Sequence, residues 1–125
     1  GQSQYSPYIG AGKDEDPILS KVYRYVSEHI TDTLSIEALA SAAAVSRRTL
    51  SRIFAKNAKV TPSVFVEQVR VDTARKLLED TDAPLKTVAF KCGFHSATHM
   101  RTTFSRRLNV TPKQYRLRFR GEASA

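Results

Sequence analysis

The chain has 125 residues and a formal net charge of +8, which suits one folded domain that binds a polyanionic partner. Its single cysteine, Cys92, excludes an internal disulfide and fits a reducing compartment, so we expect a cytoplasmic protein. No stretch approaches the roughly 18 apolar residues of a membrane helix, and we therefore expect no membrane partner.

The basic charge is concentrated in the second half of the chain. Between Ala83 and Gly121 there are nine Lys or Arg residues and no Asp or Glu. A surface that serves only solubility normally mixes the two signs. This one-sign run therefore indicates a surface that faces phosphates.

Apolar residues at helical spacing predict an all-α fold of about seven helices. Residues 1–14 lack such spacing and are predicted to form a flexible linker or arm, and residues 122–125 a disordered tail. The chain begins with Gly1 and has Met100 as its only methionine, so we expect it to be part of a longer or processed protein. The predicted helices are 17–30, 36–43, 47–58, 62–80, 84–92, 96–108 and 112–119.

The chain contains an internal repeat about 50 residues long. Val45, Leu50, Phe54 and the segment 60–62 recur as Phe94, Met100, Phe104 and the segment 110–112. The offset is 49 up to Phe94 and 50 from Met100 onward, so the second copy has one more residue in its turn. Each copy is predicted to be a helix-turn-helix, a motif that places its second helix in a DNA groove.

These two motifs divide residues 15–121 into a bipartite DNA-binding domain. The first unit is predicted at about 17–60, the second at about 82–119, and a linker helix at about 62–80. A helix of that length spans about 28 Å. With the half-width of each unit added, the two recognition helices would lie about 34 Å apart, one turn of B-DNA. We therefore predict that both enter successive major grooves of double-stranded DNA.

The outward residues of both recognition helices can hydrogen-bond to bases. Arg48 and Arg52 lie one helical turn apart, which suits guanine O6 and N7 edges, and Ala97 or a threonine methyl suits a thymine methyl. The predicted base-reading residues are Arg48, Ser51, Arg52, Ala97, Thr98, His99 and Thr102. The predicted phosphate-binding residues are Arg47, Lys56, Thr61, Ser96, Arg101, Arg106, Arg107, Thr111, Lys113 and Arg116.

The strings VSRRTLSRIF and GFHSATHMRTTFSRRLNVTPKQYR resemble the C-terminal DNA-binding domain of AraC/XylS-family transcription regulators. The resemblance covers about Pro17 to Phe119. It implies a seven-helix bipartite fold, binding upstream of promoters and contact with RNA polymerase in activators. The segment from Arg75 through Pro84 also resembles the branch with an amidotransferase-like sensing domain, which would lie outside this chain.

One position departs from the family pattern. Many relatives carry arginine where this chain has Thr102, and here the arginine is Arg101, one place earlier. Arg101 points less directly at the groove, so we expect the second unit to read bases more weakly and chiefly to hold the backbone.

Other functions fit the sequence less well. Cys92 and His95 are too close in sequence to form a nucleophile and base oriented by a third group, so we expect no enzyme. One cysteine and three scattered histidines make no zinc site, and we expect no metal or cofactor. An RNA-binding module would expose stacking aromatics, and a helical protein-interaction module an apolar stripe. These two remain the alternatives.

Overall fold

The computed structural model describes the backbone of residues 16–124 and the side chains of residues 16–121. The predicted arm, 1–14, and Ala125 lie outside the described residues. Within residues 16–124 the chain forms helices and no strand, which confirms the all-α prediction. The helices are α1 (Pro17–Glu28), α2 (Ile36–Ala42), α3 (Arg47–Ile53, continued by a π-helical turn over Phe54–Ala58), α4 (Pro62–Asp80), α5 (Leu85–Lys91), α6 (Ala97–Leu108) and α7 (Pro112–Ser124).

Short polar side chains fix the start of most helices. The Asp16 carboxylate accepts a hydrogen bond from the Ile18 amide at 2.6 Å, with Pro17 in the first turn of α1. The Ser35 hydroxyl accepts from the Ala38 amide at 3.1 Å. Such caps satisfy amides that have no partner inside the helix.

The chain divides into two units, and the boundary falls inside α4, after Val69. Unit 1 has an apolar core built from α1, α2, α3 and the first half of α4. Phe54 and Phe65 meet there edge to face, with ring centroids 5.2 Å apart. The other buried side chains of this core include Leu19, Val22, Val26, Leu39, Leu50, Val66 and Val69.

Unit 2, from Arg70, has its own core. The second half of α4 contributes Val71, Ala74 and Leu78, and the rest comes from the following helices. The remaining buried members are Val88, Ala89, Cys92, Phe94, Met100 and Phe104. The linker helix predicted from the sequence is therefore an integral part of both units, because its apolar residues are buried in one core or the other.

Unit 2 also buries charge. Arg75, which is 3% exposed, donates to Asp72 at 2.6 Å and to Glu79 at 2.8 Å. The Tyr115 hydroxyl of α7 donates to the same Glu79 carboxylate. Burial and the hydrogen bond to Glu79 raise the pKa of Tyr115 to about 12. Tyr115 therefore remains protonated at neutral pH and ties α7 to the end of α4.

Two helix ends differ from the sequence prediction by more than one residue. α1 ends at Glu28, where the His29 amide and ring both bond to the Tyr25 carbonyl. α7 continues to Ser124, so the predicted tail at 122–125 begins inside a helix. The helix continues through Gly121, and one glycine costs a helix only about 1 kcal/mol.

Candidate nucleic-acid interface

The helix-turn-helix of unit 1 consists of α2, a turn and α3. In the turn, Ala44 adopts a φ of 58°, and the Val45 amide donates to the Ala40 carbonyl at 3.0 Å. The Ser46 hydroxyl then caps α3 by accepting from the Thr49 amide at 3.1 Å. The helix and its π-helical turn end at Lys59, which has a φ of 62°.

The helix-turn-helix of unit 2 consists of α5, a turn and α6. It has the same features in the same order: a turn residue with a positive φ, a backbone hydrogen bond across the turn, a serine cap and a final residue with a positive φ. Gly93 takes the positive φ, 83°, and the Phe94 amide donates to the Ala89 carbonyl at 3.0 Å. Ser96 caps α6 by accepting from the His99 amide at 3.0 Å, and Asn109 ends it at a φ of 62°. The additional residue of the second copy therefore lies between Gly93 and the serine cap.

The α3 residues predicted to contact bases form one exposed face. Arg48, Ser51 and Arg52 are all exposed, while Leu50 and Phe54 are buried on the other side. Among the described residues, neither Arg48 nor Arg52 has a hydrogen-bonding or ionic partner. Both guanidinium groups are therefore available to a ligand.

The corresponding face of α6 is polar but less basic. Thr98, His99 and Thr102 are exposed, and Ala97 is half-buried. The His99 ring packs edge to face on Phe94, and its Nδ1 accepts a hydrogen bond from the His95 amide at 3.3 Å. A neutral imidazole that accepts at Nδ1 carries its proton at Nε2. His99 can therefore donate to an acceptor such as a purine N7.

The predicted phosphate-binding residues are mostly at the surface. Three of them also cap helices: Thr61 accepts from the Val64 amide at 3.1 Å, Ser96 caps α6, and Thr111 accepts from the Gln114 amide at 3.0 Å. Their hydroxyl hydrogens remain able to donate. The exposed members are Arg47, Lys56, Thr61, Ser96, Arg101, Arg106 and Lys113, and the half-buried ones are Arg107 and Thr111.

Arg47 has a partner that sequence reasoning missed. Its Nη1 donates to Glu37 of α2 at 2.8 Å, and both side chains are well exposed. A backbone hydrogen bond in the first turn of α2, followed by the Arg47 contact, lowers the pKa of Glu37. Unit 1 thus carries a carboxylate at the edge of its recognition helix.

Arg116 requires a correction to the predicted phosphate set. Its Nη1 donates to the Ala83 carbonyl at 2.8 Å, its Nη2 to the Thr81 carbonyl at 3.1 Å and its Nε to the Leu78 carbonyl at 3.3 Å. Arg120 also donates to the Thr81 carbonyl, at 2.6 Å. These arginines satisfy carbonyls at and beyond the end of α4, which lack intrahelical partners. We therefore leave Arg116 out of the proposed interface.

Three further features of the described residues bear on function. Burial raises the pKa of the Cys92 thiol to about 12, so the thiol remains protonated in the core. Within the described part of the chain, no three His, Cys, Asp or Glu residues are grouped as metal ligands would be. No helix there is both long and apolar enough to cross a bilayer.

Two helix-turn-helix units in tandem, each with an exposed recognition face, define the structural class. A family model described as "Helix-turn-helix domain" matches residues 39–118, which is more than half of the chain. The chain belongs to this helix-turn-helix family, and within it to the AraC-type DNA-binding domains.

Regulators of known sequence support this placement. An HTH-type transcriptional regulator of Mycobacterium tuberculosis is 40% identical over 81 residues, covering 65% of this chain and 31% of the relative. The HTH-type transcriptional activator RhaS of Salmonella arizonae is 30% identical over 111 residues, covering 89% of this chain and 40% of the relative. The chain thus spans well under half the length of these relatives.

Solved structures share the fold. A transcriptional regulator from Chromobacterium violaceum with an AraC-type DNA-binding domain superimposes with a TM-score of 0.78 at 30% identity, covering 82% of this chain and 92% of that one. The DNA-binding domain of the transcriptional factor AdpA, solved in complex with a target DNA, gives a TM-score of 0.77 at 34% identity, covering 86% and 96%.

Proposed function

We propose that this chain is the DNA-binding part of a transcription regulator and binds a specific double-stranded site through α3 and α6. The observation that carries the proposal is the pair of exposed recognition faces, each lying opposite an apolar core. The complex of the AdpA domain with DNA supports the same role for this fold. A non-enzymatic role is part of the proposal, in line with the names of its relatives.

In unit 1, Arg48 and Arg52 make the sequence-specific contacts. Each guanidinium is exposed and without a partner among the described residues, so binding costs no internal ion pair. An arginine that donates two hydrogen bonds to guanine O6 and N7 discriminates by about 1–3 kcal/mol. Ser51 lies on the same face and adds a weaker donor or acceptor.

In unit 2, base reading depends on neutral groups. Thr98 and Thr102 offer hydroxyls, His99 offers an Nε2 donor, and the Ala97 methyl suits a thymine methyl. These contacts are weaker than bidentate arginine contacts. Unit 2 therefore contributes more to holding the backbone than to choosing the sequence.

The phosphate contacts come from both units. Lys56, Arg101, Arg106 and Lys113 are exposed cations, and Arg107 is half-buried. Capping residues Thr61, Ser96 and Thr111 bring helix N-termini into the set, where amides and the helix dipole favour an anion. Arg47 joins this set when it leaves Glu37.

The remaining parts of the proposal concern the longer protein. We place it in the cytoplasm, on the nucleoid, with an effector-sensing domain outside this chain and with RNA polymerase as a partner. The relatives named RhaS are activators, and this chain covers only 40% of the one from Salmonella arizonae.

A salt titration tests the electrostatic part of this function. With roughly six to eight phosphate contacts, the logarithm of the association constant should fall linearly against the logarithm of salt, with a slope of about −5 to −7. An affinity for the selected duplex that stays flat from low to moderate salt would contradict the proposal. A single-stranded RNA of the same sequence, used as competitor, separates it from the RNA-binding alternative.

A footprint on a selected duplex tests the bipartite part. If α3 and α6 occupy successive major grooves, a single chain should protect about 20 base pairs, two helical turns. Protection of only about 10 base pairs would mean that one unit alone engages the DNA.

A further inference from the structure

A half-open cavity of about 360 Å³ lies beside the N-terminus of α6 in unit 2. Its walls come from the outer face of α5, the turn and the first turn of the recognition helix. None of the described residues that line it is acidic. The lining includes Lys86, Phe90, Ala97 and Thr98.

Two residues beside this cavity differ from their counterparts in the first copy of the repeat. Unit 1 has Glu37 on α2 and Arg47 on α3 at the corresponding positions. These side chains form an ion pair between the two helices, with Nη1 of Arg47 2.8 Å from the Glu37 carboxylate. Unit 2 has Lys86 on α5 and Ala97 on α6 instead. The alanine methyl cannot reach α5, and among the described residues Lys86 has no ionic or hydrogen-bonding partner. The charge of this edge therefore changes from balanced in unit 1 to positive in unit 2.

Phe90 adds an apolar wall that unit 1 lacks. It lies one helical turn after Lys86, so both residues are on the same face of α5. The Phe90 side chain is 72% exposed, the largest exposure among the large apolar residues of the described chain. Its counterpart in unit 1 is Ser41. In each unit the carbonyl of this residue accepts a hydrogen bond, at 3.1 Å, from the amide of the turn residue that has a positive φ. The Phe90 ring therefore forms an exposed apolar wall of the cavity on the same helix face as Lys86.

We propose that this cavity is a subsite for one nucleotide of the DNA backbone. The Lys86 ammonium binds a phosphate, while Phe90 contacts the adjoining deoxyribose. The inference rests on the proposed function, since the strand in question is the one beside the bases that α6 reads.

Two observations select a DNA strand as the occupant. First, Ala97 and Thr98 belong both to the cavity and to the recognition face, so the two surfaces are continuous. Second, Lys86 is the one formally charged residue among the described residues of the lining, and its cation matches a phosphate. In helix-turn-helix proteins the first helix of the motif crosses the DNA backbone, and here that helix is α5.

The subsite explains how unit 2 can bind DNA with few strong base contacts. A backbone contact next to the N-terminus of α6 fixes the register of the helix in its groove. Unit 1 achieves specificity with Arg48 and Arg52 and keeps a carboxylate at the same edge. Unit 2 instead adds a cation and an apolar wall.

The electrostatic part of the proposal is tested with Lys86→Gln. Removal of one phosphate contact should make the salt slope shallower by about 1 and weaken binding to specific and random duplexes alike. Lys91→Gln is the matched control, because Lys91 is an exposed lysine of the same helix that does not line the cavity. Equal slopes for the two variants would overturn the assignment of Lys86.

The apolar part is tested with Phe90→Ala. Loss of the ring should weaken DNA binding by about three- to tenfold at an unchanged salt slope, because a few tens of Å² of apolar contact are lost. Leu117→Ala is the control, since Leu117 is the other large apolar side chain that is well exposed. Binding by Phe90→Ala that equals the wild type would overturn this part.

A graft of the unit 1 ion pair tests both parts together. Lys86→Glu combined with Ala97→Arg should fill the cavity and weaken DNA binding more than Lys86→Gln does, while the helical circular dichroism stays unchanged. If the wild type binds no duplex, the proposed function fails. If the wild type binds DNA and the folded cavity variants bind it equally well, the proposed function stands and only the subsite is wrong. The subsite is also wrong if the variants lose affinity only for a second protein and not for DNA.

Discussion

Units 1 and 2 begin their recognition helices at a serine cap, Ser46 or Ser96, and end them the same number of residues later at a φ of 62°. Their inward positions are apolar in both units. Their outward positions differ, with Arg48 and Arg52 in unit 1 where unit 2 has Thr98 and Thr102. Caps and core positions are constrained by the fold, whereas the outward positions are free to specify the ligand.

The two cores also differ in polarity. The buried charged residues of the described chain, Asp72 and Arg75, both belong to unit 2. Unit 1 buries only apolar side chains in its core cluster. The stability of unit 2 should therefore depend on keeping one ion network complete, while that of unit 1 depends on packing.

Arg75→Ala should give the largest effect. Its removal leaves the carboxylates of Asp72 and Glu79 without their main counter-charge, which for buried pairs costs about 3–5 kcal/mol. The free energy of unfolding in urea measures the loss, and hydrogen exchange should place it in α5–α7 and the second half of α4. Lys76→Ala is the control, because Lys76 is 54% exposed and 3.6 Å from Asp72. If both variants lowered the free energy of unfolding by a comparable amount, the buried ion network would contribute no more to stability than an exposed ion pair.

Arg52→Ala and Thr102→Ala compare the recognition faces at equivalent positions. Arg52→Ala should weaken binding to the specific site by about 1–3 kcal/mol and relax the preference at one base pair. Thr102→Ala should cost about 0.5–1 kcal/mol, since a neutral hydrogen bond is lost. Affinities for the selected site and for single-base variants measure both. Equal losses of affinity from the two variants would contradict the claim that unit 1 reads bases more strongly than unit 2. If Arg52→Ala weakened binding equally for all sequences, Arg52 would be a phosphate contact.

The structure follows the sequence where the determinants are local. Helix starts were predicted because a cap and its amide are two or three residues apart, as at Ser46 and Ser96. The role of Arg116 was not predicted, because its carbonyl partners lie 33 to 38 residues away in the sequence. The same holds for the pairing of Glu37 with Arg47, which joins two helices across a turn.

The division of α4 also escaped prediction. Its apolar residues are on more than one face, because Phe65 and Val69 pack in unit 1 whereas Val71 and Leu78 pack in unit 2. A single helical stripe read from the sequence cannot show that a helix changes its partners along its length. The cavity beside α6 likewise escaped prediction, because its lining comes from α5, the turn and α6, which only the folded chain brings together.

Ala44 and Gly93 compare the two turns. Both have a positive φ, where a Cβ atom costs about 1–2 kcal/mol and glycine is tolerated. Ala44→Gly should therefore stabilise the protein by about 1 kcal/mol or slightly less, and Gly93→Ala should destabilise it by a similar amount. Thermal unfolding measures both changes. Ala42→Gly, on the exposed helical position just before this turn, should be destabilising, and a stabilisation there would show that the backbone argument is wrong.

Glu37→Gln should give the smallest effect, and one that increases affinity. The carboxylate stands beside the proposed DNA surface of unit 1 and holds Arg47, whereas the equivalent edge of unit 2 carries only positive charge. Because the pKa of Glu37 is lowered, this group is fully ionised at neutral pH and repels a phosphate there. Its neutral replacement frees Arg47, so we expect about two- to threefold tighter DNA binding, in keeping with the small energy of an exposed ion pair.

Glu28→Gln controls for net charge in this comparison, since Glu28 is an exposed acid at the end of α1, outside the helix-turn-helix. Equal gains from the two variants would attribute the effect to overall charge. A gain specific to Glu37→Gln, together with a steeper salt slope, would show that Arg47 moves from the carboxylate to a phosphate. Glu37 would then lower the DNA affinity of unit 1 at the edge where Lys86 raises that of unit 2. This difference is expected if unit 1 selects the sequence and unit 2 holds the DNA backbone.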